Sequence, residues 1–130
     1  MTDPALRTRG CRWITVPGVV DPRGRINFLQ LGKDLDFEPK RMFWMRHLEP
    51  GERRGQHVHR DSRLVMFAGH GACRVHLDDG SAKETITLDH PARALYIGAG
   101  VSYALDNFTP QSAIIVLDSG PANEGERRPA

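Results

Sequence analysis

Ala72-Cys73-Arg74-Val75-His76-Leu77 is apolar at every second residue from Cys73 to Leu77, with Arg74 and His76 between. A period of two marks a strand with one face buried, because successive side chains leave a pleated backbone on opposite sides. Asp78-Asp79-Gly80 follows, and glycine accepts the positive φ that a tight hairpin turn demands. Ser81–Leu88 then returns with Ala82, Ile86 and Leu88 on one parity. This hairpin decides the fold class, and the chain on either side repeats its pattern.

Turn signals recur along the sequence: Pro17-Gly18, Asp21-Pro22-Arg23-Gly24, Gly32-Lys33-Asp34, Pro50-Gly51, Gly69-His70-Gly71, His90-Pro91, Gly98-Ala99-Gly100 and Thr109-Pro110. Short strands punctuated in this way predict an all-β sandwich or barrel. Ala94–Ile97 and Ala113–Leu117 read as buried strands. Lys40–Leu48 reads as a long strand in which Phe43, Trp44 and Met45 are consecutive. Adjacent apolar residues predict that both of its faces are covered, by a second sheet or a second subunit. The weak helical candidate is Leu31–Phe37, about one turn long.

Composition narrows the function classes. The chain has 130 residues, enough for one domain and its own core. No apolar run reaches the roughly 20 residues of a membrane helix, and Met1–Arg9 lacks the apolar stretch of a secretory signal. A cytoplasmic location is the expectation. Eighteen basic and sixteen acidic residues nearly balance, whereas a nucleic-acid partner calls for a basic stripe with interleaved aromatics. Cys11 and Cys73 stand in no CxxC or Cys/His zinc spacing, so both are expected to be free structural thiols. The expected organisation is a flexible lead-in over 1–10, one domain over 11–119 and a flexible tail over 120–130.

Chemical density is concentrated in Gly51-Glu52-Arg53-Arg54-Gly55-Gln56-His57-Val58-His59. On a strand His57 and His59 share a face. Three readings remain open. Six histidines in the chain make a chance pair a real alternative. A metal site is the second reading, but two imidazoles fall short of the three protein ligands usual for catalytic zinc. Measured against the metal-binding cupin pattern, the glutamate position falls on Arg63 or Leu64 and the later histidine position on Tyr103. The third reading is acid–base chemistry: a neutral imidazole takes and returns a proton near neutral pH, and Arg54 offers a fork of donors to a phosphate or enolate oxygen.

These residues resemble a known family. Lys40-Arg41-Met42-Phe43-Trp44 followed by Arg54-Gly55-Gln56-His57-Val58-His59 is similar to the WxcM-like cupins, the dTDP-4-keto-6-deoxyglucose 3,4-ketoisomerases. Asp21-Pro22-Arg23-Gly24-Arg25-Ile26, Leu77-Asp78-Asp79-Gly80, Leu95-Tyr96-Ile97 and Asn107-Phe108-Thr109 resemble further family motifs in the same order. The resemblance implies a cupin (RmlC-like) double-stranded β-helix, or jelly-roll barrel, forming a homodimer. It implies isomerisation of a nucleotide-linked 4-keto sugar, most simply a dTDP sugar, to the 3-keto sugar, with no metal and no organic cofactor. It assigns His57 as base and His59 as its partner. Arg54, Arg23 and Arg41 become the candidates for holding phosphate or sugar oxygens. Neither nucleic acid nor membrane is an expected partner.

The chain also departs from the family pattern. Leu64 replaces a glutamine, Gly98-Ala99 a pair of prolines, and Ser102-Tyr103 a Trp-His or Trp-Arg pair, while Gly120–Ala130 lacks the family's C-terminal segment. Tyr103 becomes the candidate hydrogen-bond donor to a keto oxygen. The alternative implied by these departures is a cupin that binds a sugar or nucleotide sugar without catalysis.

Overall fold

The computed structural model describes residues 5–58 and 62–120, and for 56–58 the backbone alone. Among the described residues there are eleven strands and no helix. In chain order they are β1 (Cys11–Thr15), β2 (Gly18–Asp21), β3 (Gly24–Asn27), β4 (Arg41–Arg46), β5 (Arg54–Val58), β6 (Leu64–His70), β7 (Cys73–Asp78), β8 (Lys83–Leu88), β9 (Arg93–Ile97), β10 (Ser102–Asp106) and β11 (Ala113–Asp118).

The strands form a five-stranded sheet ordered β1-β9-β6-β11-β4, a four-stranded sheet ordered β5-β10-β7-β8, and the separate hairpin β2-β3. Every pairing is antiparallel. The inner faces of the two larger sheets meet in one core of Leu64, Met66, Val75, Leu77, Leu95, Ile97, Leu105, Ile114 and Val116. This is the all-β expectation in an antiparallel double-sheet form.

The hairpin that suggested the fold is present. Cys73, Val75 and Leu77 are buried and Arg74 is exposed, and β7 pairs with β8 from Cys73↔Leu88 to Asp78↔Lys83. Its connection is longer than a two-residue turn. Asp79 N–H donates to the Ala82 carbonyl at 3.1 Å, and the Asp79 carboxylate accepts from the N–H groups of Ser81 and Ala82, both at 2.7 Å. Gly80 has a φ of 95°, the conformation for which its lack of a Cβ suits it.

One reading of the sequence changes. Leu31–Phe37 forms no helix. Lys33 and Asp34 N–H both donate to the Gln30 carbonyl, and the Asp34 carboxylate caps Gln30 N–H at 2.6 Å. Leu35 and Phe37 then pack on the outer face of the five-stranded sheet with Val65, Ala94 and Tyr96. Burial on a sheet outweighs a weak helical signal, since a single turn carries the full nucleation cost. For β4 the inner half of the expected cover is present. Arg41, Phe43 and Met45 are partly buried on the inner side, but Met42 is 56% and Trp44 57% exposed. Strand β4 is the edge of its sheet, so within this chain one of its apolar faces is open.

Residues 5–10, expected as a lead-in, are fastened to the barrel. Leu6 packs against the core. Thr8 is buried, and both its N–H and its hydroxyl donate to Glu84 Oε1, at 2.7 and 2.6 Å. The tail expected over 120–130 lies, from 121 on, outside the described residues. No helix among the described residues is long and apolar enough to cross a membrane.

Candidate functional site

The inner wall of the barrel changes character along its length. On β11 the inner residues run Ile114, Val116, Asp118, and on β4 they run Met45, Phe43, Arg41. The paired ends, Arg41 and Asp118, are register partners. Asp118 is completely buried, and the Arg41 guanidinium (Nη2) donates to its Oδ2 at 2.6 Å. Gly120 N–H also donates to Asp118, at 3.2 Å. A charge without solvent persists in a protein interior only when paired and hydrogen-bonded. The Arg41 guanidinium carbon sits 5.0 Å from the centre of the Phe43 ring, which fixes its plane. Arg41 Nε, also buried, has no hydrogen-bond partner among the described residues.

Tyr103 enters this region from the opposite sheet. It is a buried residue of β10. Burial first, and the Asp118 charge second, push its phenol up to about 12, while the Arg41 charge acts the other way. Both charges of the pair are therefore felt at the phenol, which keeps its proton throughout the neutral range.

Strand β5 brings the sequence motif alongside. In the β10–β5 ladder Tyr103 pairs with His57, whereas Ala104 pairs with Gly55, so Gln56 is the extra residue of a bulge. Gly55 has a φ of 94°. A Cβ there would lie 2.9 Å from the Tyr103 carbonyl oxygen and 3.2 Å from its ring Cδ2. The bulge thus requires glycine twice, for its φ and for the approach of Tyr103. Without that extra residue the parity beyond Gly55 would invert.

The sequence candidates are placed as follows. Arg41 and Tyr103 come together around Asp118. His57 is the register partner of Tyr103, and His59 lies outside the described residues. Arg54 is exposed at the start of β5, opposite Leu105. Arg23 is at the tip of the exposed β2–β3 hairpin. Its guanidinium pairs with Asp21 at 3.0 Å, and its N–H donates to the same carboxylate at 2.7 Å. Arg63 and Leu64, which occupy the glutamate position of the metal pattern, are otherwise engaged. Arg63 pairs with Asp36 and Leu64 is buried in the core.

Sequence reading passed over two groups. One is Asp118, although it is the single charge on the inner parity of an apolar strand. The other is His76, on the outward parity of β7. Its Nε2 is 2.8 Å from Asp106 Oδ1 and its Nδ1 is 2.9 Å from the Thr85 hydroxyl. Asp106 also pairs with Arg53 at 3.3 Å, so this outer-face network ties the chain entering β5 to β10 and β7. The two thiols take no part. Burial pushes Cys11 up to about 11 and Cys73 to about 12, which leaves them un-ionised and unreactive at neutral pH.

Comparison with known proteins agrees with this architecture. The sequence profile of the family described as FdtA: WxcM-like, C-terminal, matches residues 9–127. The TDP-4-oxo-6-deoxy-alpha-D-glucose-3,4-oxoisomerase of Aneurinibacillus thermoaerophilus is 35% identical over 101 residues, covering 78% of this chain and 73% of that protein. A 3,4-ketoisomerase from Helicobacter canadensis superposes with a TM-score of 0.85 at 29% identity, covering 89% of this chain and 87% of that one. The RmlC epimerase of Mycobacterium tuberculosis superposes with a TM-score of 0.77 at 19% identity, over 96% of this chain and 70% of that one, and supports the cupin-like fold alone.

Proposed function

We propose, from the premise that this chain belongs to the WxcM-like family, that it is a sugar-nucleotide isomerase. It converts a nucleotide-linked 4-keto-6-deoxyhexose to its 3-keto isomer by enolisation. The observation that carries this reading is the ladder pairing of His57 with Tyr103 beside the buried Arg41–Asp118 pair. The pairing supports a base position and a phenol donor on neighbouring strands, with the Arg41 cation as a further donor. The similarity to the Aneurinibacillus oxoisomerase supports a TDP-linked 4-keto sugar as substrate.

In this mechanism His57 removes the proton from carbon 3 and an enediolate forms across carbons 3 and 4. The Tyr103 hydroxyl donates to the oxygen where charge develops. His57 or its partner His59 returns a proton to carbon 4, while the hydroxyl proton on the carbon 3 oxygen is lost and the carbon 4 oxygen gains one, so the protons balance too. Carbon 3 is oxidised as carbon 4 is reduced, so the electrons balance within the sugar and no external oxidant or reductant is required. A positioned imidazole contributes roughly 10²–10⁴-fold, and a preorganised donor to the oxyanion about 10²–10³-fold. Arg41 and Arg54 hold phosphate or sugar oxygens. Arg23, already oriented by Asp21, adds a further cation on the hairpin.

The reaction proceeds without a metal. The support is chemical: the positions that complete a cupin metal site hold Arg63 or Leu64 and Tyr103, none of which is a usual divalent-metal ligand. The free, buried thiols fit a reducing compartment such as the cytoplasm.

The protein acts as a homodimer. Met42 and Trp44 on the open face of edge strand β4, with Val19, Val20 and Ile26 on the β2–β3 hairpin, are 56–68% exposed. Apolar edges of this kind are normally covered.

The direct test incubates the purified protein with TDP-4-keto-6-deoxyglucose, with and without a chelator, and follows the sugar by NMR. Formation of the 3-keto sugar at equal rates in both samples, lost in His57→Asn, is expected. Saturable binding of the nucleotide sugar that survives His57→Asn, with no turnover by the unmutated protein, would instead identify a non-catalytic binder.

A further inference from the structure

Asp118 belongs to no motif of the sequence, yet it is the one fully buried carboxylate among the described residues. It stands at the end of β11, where the inner face passes from apolar to charged, and both of its ladder neighbours are defined. Arg41 pairs with it on one side and Leu64 on the other. The leucine side is dry, so Arg41 and Gly120 N–H supply its described hydrogen bonds.

We propose that Asp118 is the positioning residue of this site: its carboxylate clamps Arg41 to the inner wall, leaving Arg41 Nε for a substrate oxygen, with the paired charges set beside Tyr103. The role in turnover rests on the isomerase reading above; the clamp itself does not.

Three observations converge. The 2.6 Å contact engages Nη2 and not Nε, and the guanidinium carbon lies over the Phe43 ring at 5.0 Å from its centre. Nε is buried and unpartnered among the described residues, and a buried donor left unmade is costly. A ligand oxygen arriving in the barrel recovers that cost, which makes the group a preorganised donor rather than a structural one. Finally, the paired charges compensate each other, so an enediolate formed nearby meets a neutral pair instead of a bare carboxylate. Among the described side chains, the other titratable groups facing this interior are Glu84, two strands away across Leu77 and held by Thr8, and the buried thiols Cys11 and Cys73.

The chain has two tyrosines, Tyr96 and Tyr103. A Tyr96→Phe background therefore makes the tyrosinate absorbance report Tyr103 alone. At about pH 10.5, with fold verified by circular dichroism, a phenol titrating near 12 is only about 3% ionised, against about 75% for an ordinary tyrosine. Burial of the phenol is kept in Asp118→Asn, but the variant removes the charge that raises it and leaves the one that lowers it, so the tyrosinate fraction rises above that of the unmutated side chain. Arg41→Gln moves it the opposite way. Asp118→Asn/Arg41→Gln removes both charges and is the variant to use if the single one fails to fold; its fraction falls between the two.

In turnover, Asp118→Asn lowers kcat by about 10-fold or more and moves the alkaline limb of the pH profile down. Unchanged tyrosinate fractions in folded Asp118→Asn and in the double variant overturn the proposal, as does an unchanged kcat. A tyrosinate response of the expected signs, in a protein whose unmutated form isomerises no 4-keto sugar nucleotide, overturns the isomerase reading and the role in turnover while leaving the clamp established.

Discussion

The two ends of the barrel interior are built on the same strands and do different work. Toward one end β10, β7 and β11 contribute Leu105, Val75 and Ile114, all fully buried, with Phe108 and Leu88 beside them. Two residues along the same strands, or four along β11, the inner positions become Tyr103, Leu77 and Asp118, with Arg41 on β4 and His57 in register on β5. The first end holds the sheets together by excluding water. The second gives up apolar burial for a paired charge and a phenol, an arrangement that a hydrophobic replacement often matches or exceeds in stability. Such a cost at one end of a well-packed barrel is the signature of a site and not of a core.

Substitutions test that division. His57→Asn is expected to cost the most, a loss of about 10³-fold or more in kcat/KM, with the melting temperature within a few degrees of the unmutated protein. A comparable loss of stability would place His57 in the core end instead. Leu105→Ala acts in reverse. It should destabilise by about 3 kcal/mol in denaturant unfolding, while kcat per folded molecule stays within about threefold at low temperature.

Gly55→Ala lies at the join between the two ends. The positive φ and the contact with Tyr103 together predict about 1–3 kcal/mol of destabilisation, with a drop in kcat because the Tyr103 ring must move. An alanine tolerated without either effect would show that the bulge does not position the site. On the outside, Trp44→Glu should convert the proposed dimer to a monomer in light scattering at micromolar concentration, and a monomeric unmutated protein would remove the argument for a covered β4 edge.

The smallest expected effect is at the β7–β8 connection. The N–H groups of Ala82, Arg9 and Ser81 hold the Asp79 carboxylate down at about 2. Its folded value is depressed, so its contribution is complete above the ordinary carboxylate range near 4. That contribution is lost as pH falls toward 2. Asp79→Ala should therefore lower the melting temperature slightly at pH 7 and leave it unchanged near pH 2. A difference that persisted at low pH would mean that packing, not the carboxylate, fastens the residues before β1.

Much of this was legible in the sequence. The parity of Cys73, Val75 and Leu77 gave a strand and its buried face, and recurrent turns gave an all-β chain. The remaining differences have physical causes. Strand β4 was expected to be covered on both faces because Phe43, Trp44 and Met45 are consecutive, but a single chain provides only the inner cover. Leu35 and Phe37 carry a spacing that suits one helical turn equally well, and the sheet beneath them decides otherwise. The bulge at Gln56 cannot be read from local pattern, since it depends on which residue of β10 lies opposite. Asp118 could have been found. A lone charge on the buried parity of Ile114 and Val116 is as informative as an HxH pair, and the same parity marks Arg41 after Met45 and Phe43.

The central claim is that the polar end of the barrel enolises a 4-keto sugar. The most direct measurement is NMR of TDP-4-keto-6-deoxyglucose incubated with the protein in deuterium oxide. The account predicts a 3-keto product carrying deuterium at carbon 4, formed by the unmutated protein and by Leu105→Ala and absent with His57→Asn. A sugar recovered without deuterium and without isomerisation, from this and from other thymidine- or guanosine-linked 4-keto sugars, would contradict it.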